Sequence, residues 1–189
     1  HAGTTPMGMR ADALLAASRV ITEVEKIAVD AGEYCVATVG RLNVYPNGAN
    51  VIPDKIIFTV DIRSKSKQSL DDMISAVKKV IHLEEKDGLT VKEALTLYVE
   101  PTELSTRIVN KFREHSQALG ISEIPMVSGA GHDAMIFANI TDVGLIFVPS
   151  KDGMSHHPSE WTEYDEIAKG VSVLFETVKE LTETKDVTQ

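Results

Sequence analysis

The order of hydrophobic and polar positions predicts a mixed helix and strand fold for the first half of the chain. Apolar residues recur at helical spacing from Ala13 to Ala28, and Gly32 is placed to end that helix. Residues 33–45 are rich in β-branched side chains and predict a strand, which the turn sequence Pro46-Asn-Gly48 follows. Lys55 to Arg63 alternates strictly and predicts a second strand. Its apolar face comprises Ile56, Phe58, Val60 and Ile62.

A second amphipathic helix is predicted to start near Ser69, where Asp72 is placed to complete a capping box. Asp87-Gly88 ends it, and residues 89–99 predict a third strand. The resulting order α-β-β-α-β lacks only a leading strand of the β-α-β-β-α-β split sandwich, the ferredoxin-like arrangement. We therefore predict such a domain over residues 1–100, with its first strand missing or truncated.

Pro101-Thr102 predicts a domain boundary, and residues 101–189 read as part of an α/β sheet domain. A helix, a glycine-rich loop, a short helix over Asp133–Ala138 and an apolar strand over Gly144–Val148 precede a final helix that opens at Trp161. We expect a segment outside the chain to complete this domain, and we expect the polar tail from Thr182 to fray. The apolar stripe of the final helix comprises Ile167, Val171, Leu174, Val178 and Leu181.

Composition narrows the class of protein. Hydrophobic residues make up 43% of the chain and charged residues 25%, as in ordinary soluble globular proteins. The net charge of −9 disfavours nucleic acid as a partner, and no run of about 18 apolar residues indicates a membrane span. The single cysteine, Cys35, cannot form an internal disulfide and fits a cytoplasmic location. Because His1 opens a Gly/Thr/Pro-rich stretch, we read it as a cut into a longer protein; a processed terminus is the alternative.

Two loops concentrate residues that could carry chemistry. His156-His157-Pro158 follows the predicted strand 144–148, and ligand sites in open α/β sheets lie beyond the carboxyl ends of strands. Neutral imidazole is the commonest metal ligand, and adjacent loop histidines point in different directions, so we expect at most one of this pair to bind metal. A pair of loop histidines without function is the alternative. Gly129-Ala-Gly-His-Asp133 could bind an anion, or Asp133 could simply cap the short helix.

Arg63 lies on the polar face of its predicted strand, and Asn50 lies near the preceding turn. A guanidinium is suited to bidentate recognition of a carboxylate. Pairing with Asp61 or with solvent is the alternative, which spacing alone favours. The chain contains neither a G-x-S-x-G elbow nor a phosphate-binding P-loop, and Cys35 reads as a core residue rather than a nucleophile.

Five motifs occur in an order that resembles one known family. They are His1-Ala-Gly-Thr-Thr-Pro-Met7, Gly48-Ala-Asn-Val-Ile-Pro53, Asp61-Ile-Arg63, Ser128-Gly-Ala-Gly-His-Asp-Ala134 and Ser155-His156-x-Pro158. Together they resemble the hydantoinase/carbamoylase group of M20 metallopeptidase-like amidohydrolases. That group includes N-carbamoyl-L-amino acid hydrolases, allantoate amidohydrolases and β-ureidopropionases.

The resemblance implies a two-domain subunit in which a dinuclear-metal catalytic domain carries an inserted βαββαβ lid that also forms a homodimer. Residues 1–100 would hold most of the lid, and residues 101–189 the last part of the catalytic domain. His1 would reach across the dimer to polarise the scissile carbonyl and stabilise the oxyanion. Asn50 and Arg63 would bind substrate, with Arg63 on its carboxylate.

The same resemblance assigns His156 as a metal ligand, leaves His157 in a variable position and places the loop around Gly131 in the pocket lining. Two divalent ions, of Zn, Mn, Co or Ni, would serve hydrolysis of the ureido C–N bond of N-carbamoyl-L-amino acids or allantoate, with release of ammonia and CO₂. The remaining ligands and the glutamate that acts as general base would precede His1. An M20 aminoacylase or peptidase is the alternative enzyme, and a non-catalytic dimerisation or small-ligand module is the alternative from another class.

The isolated chain should therefore bind no catalytic metal and turn nothing over, because one imidazole cannot replace the three protein ligands that a catalytic zinc typically takes. The measurement is ammonia release from N-carbamoyl amino acids and allantoate by the 189-residue chain. Turnover by that chain alone would contradict the prediction.

Overall fold

A computed structural model describes residues 1–183. The chain forms two compact units, the first comprising His1–Pro101 and the second beginning at Thr102. The roles of lid and of catalytic segment that we assign to the two halves of the chain stay predictions. Both units contain helices and extended segments. The described residues form one sheet, which has two strands and lies in the first unit.

The first unit is built on a β-hairpin covered on one face by two helices. Helix α1 (Ala13–Ala31) begins at Asp12, whose carboxylate accepts hydrogen bonds from the Leu14 and Leu15 N–H groups, and it ends at Gly32 with φ of 93°. Strands β1 (Val36–Tyr45) and β2 (Lys55–Arg63) pair antiparallel, and helix α2 (Lys67–His82) follows. The predicted stop of α1 at Gly32 and the alternation of β2 are confirmed.

Side chains from all four elements form the core of this unit. Val20 and Val24 of α1 pack with Val77 of α2, and the inward face of β2 lies against them. A β-bulge at Gly40 changes which residues of β1 share that face. Before the bulge Val39 pairs with Val60, and beyond it Leu42 pairs with Phe58. The extra residue therefore keeps Arg41 off the core face.

Helix α2 begins one turn earlier than its sequence pattern suggests. Ser66 caps it by accepting a hydrogen bond from the Ser69 N–H at 3.3 Å, so the capping box predicted from Ser69 and Asp72 is wrong. Asp72 instead accepts a hydrogen bond from the Gln68 amide at 2.9 Å, one helical turn away. The Ser66 hydroxyl accepts from a free N–H group of the first helical turn, and Ser69 therefore lies within the helix rather than at its cap.

The strand predicted over residues 89–99 is wrong, so the four-stranded ferredoxin-like sheet is not observed. A strand requires a backbone partner, and this segment has none within residues 1–183. Side chains attach it to α2 instead. Lys78 contacts Glu93 at 3.0 Å, and the Tyr98 hydroxyl donates to Asp71 at 2.6 Å. Leu97 is 77% exposed, which shows that the segment buries little apolar surface.

The second unit packs helices α3 (Thr106–Ala118) and α5 (Tyr164–Glu183) around an extended segment, with the short helix α4 (Ala134–Phe137) between them in sequence. The strand predicted over Gly144–Val148 is wrong for the same reason as residues 89–99, because the described residues offer it no ladder partner. Glycines permit close packing here. A Cβ at Gly144 would lie 2.5 Å from Ile108 of α3, and one at Gly170 would lie 2.7 Å from Val148.

The apolar stripe that the sequence pattern predicts along one face of α5 is not the buried face of that helix. Val173 and Thr177 are buried instead, whereas Val171 is 58% exposed. Helix α5 approaches the 144–148 segment through Gly170, and this contact selects a face made of small residues. Among residues 1–183 no side chains bury the larger apolar stripe, and the tail expected to fray lies, from residue 184 on, outside the described residues.

Val24→Ala tests whether the core of the first unit lies between α1 and the hairpin. Val24 is 2% exposed, and we expect its truncation to lower the free energy of unfolding by about 2 kcal/mol, through lost burial and a residual cavity. Val29→Ala in the same helix is the matched control, because Val29 is 72% exposed and should change stability by no more than about 0.5 kcal/mol. Urea denaturation followed by circular dichroism measures both, and equal losses would contradict the packing.

Candidate active site

His1 lies in a compact turn at the start of the first unit. Its carbonyl accepts hydrogen bonds from the Thr5 N–H at 3.2 Å and the Thr5 hydroxyl at 3.0 Å. The Gly3 N–H donates to Nδ1 of the His1 ring at 3.0 Å. A backbone N–H can only donate, so Nδ1 is the acceptor and the neutral ring carries its proton on Nε2. The turn therefore presents an exposed imidazole with Nε2 as a donor.

Asn50 lies beside this turn, in the loop that joins β1 to β2. The Ala2 N–H donates to the Asn50 carbonyl at 2.8 Å, which ties the two segments together. Further backbone bonds hold the loop itself, from Val51 N–H to Gly48 carbonyl at 3.2 Å and from Asp54 N–H to Tyr45 carbonyl at 2.9 Å. The structure thus brings His1 and Asn50 to one end of the hairpin, and the Asn50 side chain is exposed there.

Arg63 lies at the opposite end of the same hairpin. It pairs with Val36, whereas Lys55 at the other end of β2 pairs with Tyr45. Eight residue steps of about 3.3 Å place Arg63 roughly 26 Å from the end that carries the loop. The structure therefore does not bring Arg63 together with His1 and Asn50 within one unit.

The Arg63 guanidinium is engaged by Asp61 on the same face of β2. Nε donates to Oδ1 of Asp61 at 2.7 Å and Nη2 to Oδ2 at 3.1 Å, the bidentate geometry that a substrate carboxylate would also adopt. The hydrogen bond from Arg63 holds the pKa of Asp61 below its usual range, and burial opposes it. Pairing with Asp61, which we weighed as the alternative to substrate binding, is the arrangement observed.

The glycine-rich loop of the second unit is organised by Ser128. Its hydroxyl accepts from the Ala130 N–H at 3.2 Å and contacts Nε2 of His132 at 2.8 Å. The His132 ring packs on Phe147 at a centroid distance of 5.5 Å. Gly131 is exposed, and a Cβ added there meets no atom within 4 Å, so the space beside it is open to a ligand. Asp133 precedes α4 without a side-chain capping bond.

The two adjacent histidines of the second unit differ in their surroundings. His157 Nδ1 accepts from the Ser159 N–H at 3.2 Å and contacts the Ser159 hydroxyl at 2.7 Å. His156 is exposed with φ of 55°, and its N–H donates to the Glu160 carboxylate at 2.8 Å. Residues 1–183 provide no hydrogen-bond partner for the His156 imidazole, which leaves both of its ring nitrogens available to a ligand.

Glu160 is a residue that motif reasoning missed. Its signal in the sequence is a carboxylate four positions after His156, across a proline that favours a turn.

None of the helices within residues 1–183 combines the length and apolar character needed to cross a bilayer.

Comparison with known proteins places these residues in a family. The model of peptidase family M20/M25/M40 matches residues 9–180. The chain belongs to that family. The resemblance indicated by the five motifs is thereby confirmed.

Relatives within the M20 family are named for ureido substrates. The chain is 38% identical to an N-carbamoyl-L-amino-acid amidohydrolase of Paenarthrobacter aurescens, over 96% of this chain and 44% of the relative. It is 36% identical to an allantoate amidohydrolase of Escherichia coli strain K12, over 92% and 43%. A crystal structure of a hydantoinase/carbamoylase family amidase from Burkholderia multivorans matches with a TM-score of 0.88 and 38% identity, over 94% of this chain and 43% of that one. The chain therefore spans less than half the length of these relatives.

M20 amidohydrolases are generally dependent on divalent metals. His156 fits one position in such a site, since its exposed imidazole is unengaged within the described part of the chain. Residues 1–183 contain no group of three or more histidine, cysteine, aspartate or glutamate side chains placed to hold an ion. These residues can thus contribute a ligand, but they do not form a complete metal centre.

Arg63→Ala should raise the pKa of Asp61 to the ordinary carboxyl value or above it, because the lost donor is what lowers this pKa and burial then acts alone. Since the pKa of Asp61 in the folded state lies below its unfolded value, the pair stabilises the fold at pH above that unfolded value, and the stabilisation is lost as pH falls through the lowered pKa. NMR titration of the Asp61 carboxyl measures the shift. Lys55→Ala, at the other end of β2, is the control. An unchanged Asp61 pKa in Arg63→Ala would contradict the pairing.

Proposed function

We propose that this chain is part of a metal-dependent amidohydrolase that cleaves the ureido C–N bond of N-carbamoyl-L-amino acids or allantoate, releasing ammonia and CO₂. The observation that carries the proposal is similarity to relatives with those names over more than nine-tenths of the chain. The parts of the relatives that this chain does not span would supply the general base and the remaining metal ligands. The half-buried, unpaired Cys35 supports a cytoplasmic location.

His156 would be one metal ligand of this enzyme, and the open space beside Gly131 would receive part of the substrate. Bound divalent ions lower the pKa of a coordinated water and polarise the carbonyl under attack. His156 supports this role because its ring is unengaged among the described residues, whereas Nδ1 of the neighbouring His157 already accepts from Ser159. The Ser128 hydroxyl holds the glycine-rich loop around Gly131 in place, because it contacts both the backbone at Ala130 and the His132 ring.

His1 would stabilise the oxyanion that forms when the ureido carbonyl is attacked. Because Nδ1 accepts from the Gly3 N–H, the neutral ring carries its proton on Nε2. It can therefore donate a hydrogen bond to the oxyanion without first moving that proton to the other nitrogen. Asn50, held next to the His1 turn by the bond from Ala2, would place its amide on the same portion of substrate. Both residues are exposed and are supported by backbone hydrogen bonds, which leaves their side chains accessible to a substrate.

Arg63 would bind the substrate carboxylate in place of Asp61. The incoming carboxylate would take over the bidentate geometry that Asp61 now satisfies, so one anion replaces another at the guanidinium. Such exchange takes place at the surface, where both side chains are about half exposed, at 50% for Arg63 and 56% for Asp61. Asp61 would thus keep Arg63 oriented while the site is empty of substrate.

The separation of the two ends of the hairpin leads us to propose a shared site in a homodimer formed through the first unit. A small ureido acid cannot bridge roughly 26 Å of strand, so His1 and Arg63 of one chain would serve different substrates. Two-fold symmetry then gives each site Arg63 from one subunit and His1 with Asn50 from the other. The hydrogen-bonded strand pair keeps these groups apart in each subunit.

Mixing two inactive variants of the full-length enzyme tests this arrangement. In a dimer of one His1→Ala and one Arg63→Ala subunit, one site keeps both groups and the other loses both. Random reassociation makes half of the dimers mixed, so we expect about one quarter of the parent kcat. Ammonia release after subunit exchange measures it, and each variant mixed with itself is the control.

If His1 and Arg63 of one subunit served the same site, both sites of the mixed dimer would be defective. No recovery of activity, with subunit exchange shown by mass spectrometry, would therefore contradict the shared site.

A further inference from the structure

We propose that Glu160 is a positioning residue for His156, whose backbone it holds in the conformation that presents the imidazole to the metal. The inference rests on the proposed function, because it takes His156 as a metal ligand. It adds the group that determines the direction of that ligand, a group that does not itself contact the ion or the reacting atoms.

The backbone of His156 requires such support. Its φ of 55° lies in the left-handed region, where the Cβ of an L-residue crowds the neighbouring carbonyl oxygen. A histidine keeps this conformation only when contacts with its surroundings offset the conformational strain of positive φ. Relaxation to negative φ would turn the Cα–Cβ bond and swing the ring away from its present direction.

Glu160 provides the compensating contact. Its Oε2 accepts from the His156 N–H at 2.8 Å, a charge-assisted hydrogen bond of the stronger class. The Glu160 N–H in turn donates to the His157 carbonyl at 2.9 Å, which closes a turn and returns the carboxylate to His156. Below this turn, the Lys151 N–H donates to the Trp161 carbonyl at 2.7 Å and joins the two ends of the loop.

The surroundings of Glu160 favour this role over that of a surface charge. Within residues 1–183 no lysine, arginine or histidine side chain forms an ion pair with it, so the His156 backbone is the contact observed for its carboxylate. The adjacent His157 is arranged in the opposite way, with its ring bonded to Ser159. The loop therefore fixes one histidine through its backbone and the other through its ring. Only the first leaves the imidazole available to an ion.

Three substitutions of Glu160 in the full-length enzyme separate hydrogen-bond geometry from charge. Glu160→Ala removes the acceptor, and we expect the apparent Kd for Zn²⁺ to rise about 10- to 100-fold. Glu160→Asp keeps the charge but withdraws the carboxylate by about 1.5 Å, so it should behave like alanine. Glu160→Gln keeps an acceptor oxygen at the same reach and should stay within about threefold of the parent.

Competition between the metal-free enzyme and a chromogenic chelator for Zn²⁺ measures Kd without relying on turnover, and circular dichroism confirms the fold of each variant. Ser159→Ala, which removes the hydroxyl beside the His157 ring, is the matched control in the same loop and should also stay within about threefold. His156→Ala, which removes the ligand itself, tests the proposed function on which the inference depends.

Weak binding by the alanine and aspartate variants, with near-parent binding by the glutamine variant, supports the inference. It is overturned if Glu160→Ala binds Zn²⁺ like the parent, or if Glu160→Gln is as weak as Glu160→Ala. The second result would mean that the negative charge acts rather than the bond to the His156 N–H. If His156→Ala leaves Zn²⁺ binding unchanged, the assignment of His156 as a ligand fails, an outcome distinct from failure of Glu160 alone.

Discussion

The antiparallel ladder between β1 and β2 constrains everything that the first unit can do. It runs from the Val36–Arg63 pair to the Tyr45–Lys55 pair, and its hydrogen bonds fix the distance between the two ends of the hairpin. Across the bulge at Gly40, Val39 and Leu42 pair with Val60 and Phe58 on one face of the hairpin, and α1 and α2 cover the part of that face around Val39, Phe58 and Val60. A slip of register would turn Arg41 into the core. The packing of the core therefore fixes the strand register and, with it, the distance between the two ends of the hairpin.

The hairpin determines which of the motif residues His1, Asn50 and Arg63 lie close together, and their order along the chain does not reveal this. Asn50 and Arg63 are thirteen positions apart in sequence, yet strand β2 lies between them and holds them at opposite ends. His1 is far from Asn50 in sequence but adjoins it through the bond from Ala2. These two facts together led us to propose a shared site in a dimer, in which each subunit would supply groups to two sites.

Elements whose stability depends on local pattern were predictable from the sequence. The Gly32 stop of α1 and the alternation of β2 are of this kind, because capping and side-chain alternation are properties of neighbouring residues. Residues 89–99 and 144–148 have strand-like composition, but a strand exists only beside a partner, and composition does not reveal whether one is present. The buried face of α5 depends on a contact through Gly170, so the larger apolar stripe was misleading.

The same distinction applies to the candidate site. Spacing indicated His156 as a candidate and favoured Asp61 as a partner of Arg63, and the family resemblance added Gly131 and a substrate-binding role for Arg63, but nothing in the sequence indicated the group that holds His156. Asp61 already satisfies the Arg63 guanidinium, and Glu160 holds the His156 backbone at positive φ. The role of Glu160 emerges only from the hydrogen bond that its carboxylate accepts from the His156 N–H.

A crystal structure of the full-length enzyme with a slowly hydrolysed ureido acid bound would show which subunit supplies each group to the site. We expect each ligand to contact Arg63 of one subunit together with His1 and Asn50 of the other. A ligand held by Arg63 and His1 of the same subunit would contradict it, because the strand that separates those residues could not then have the paired structure described above.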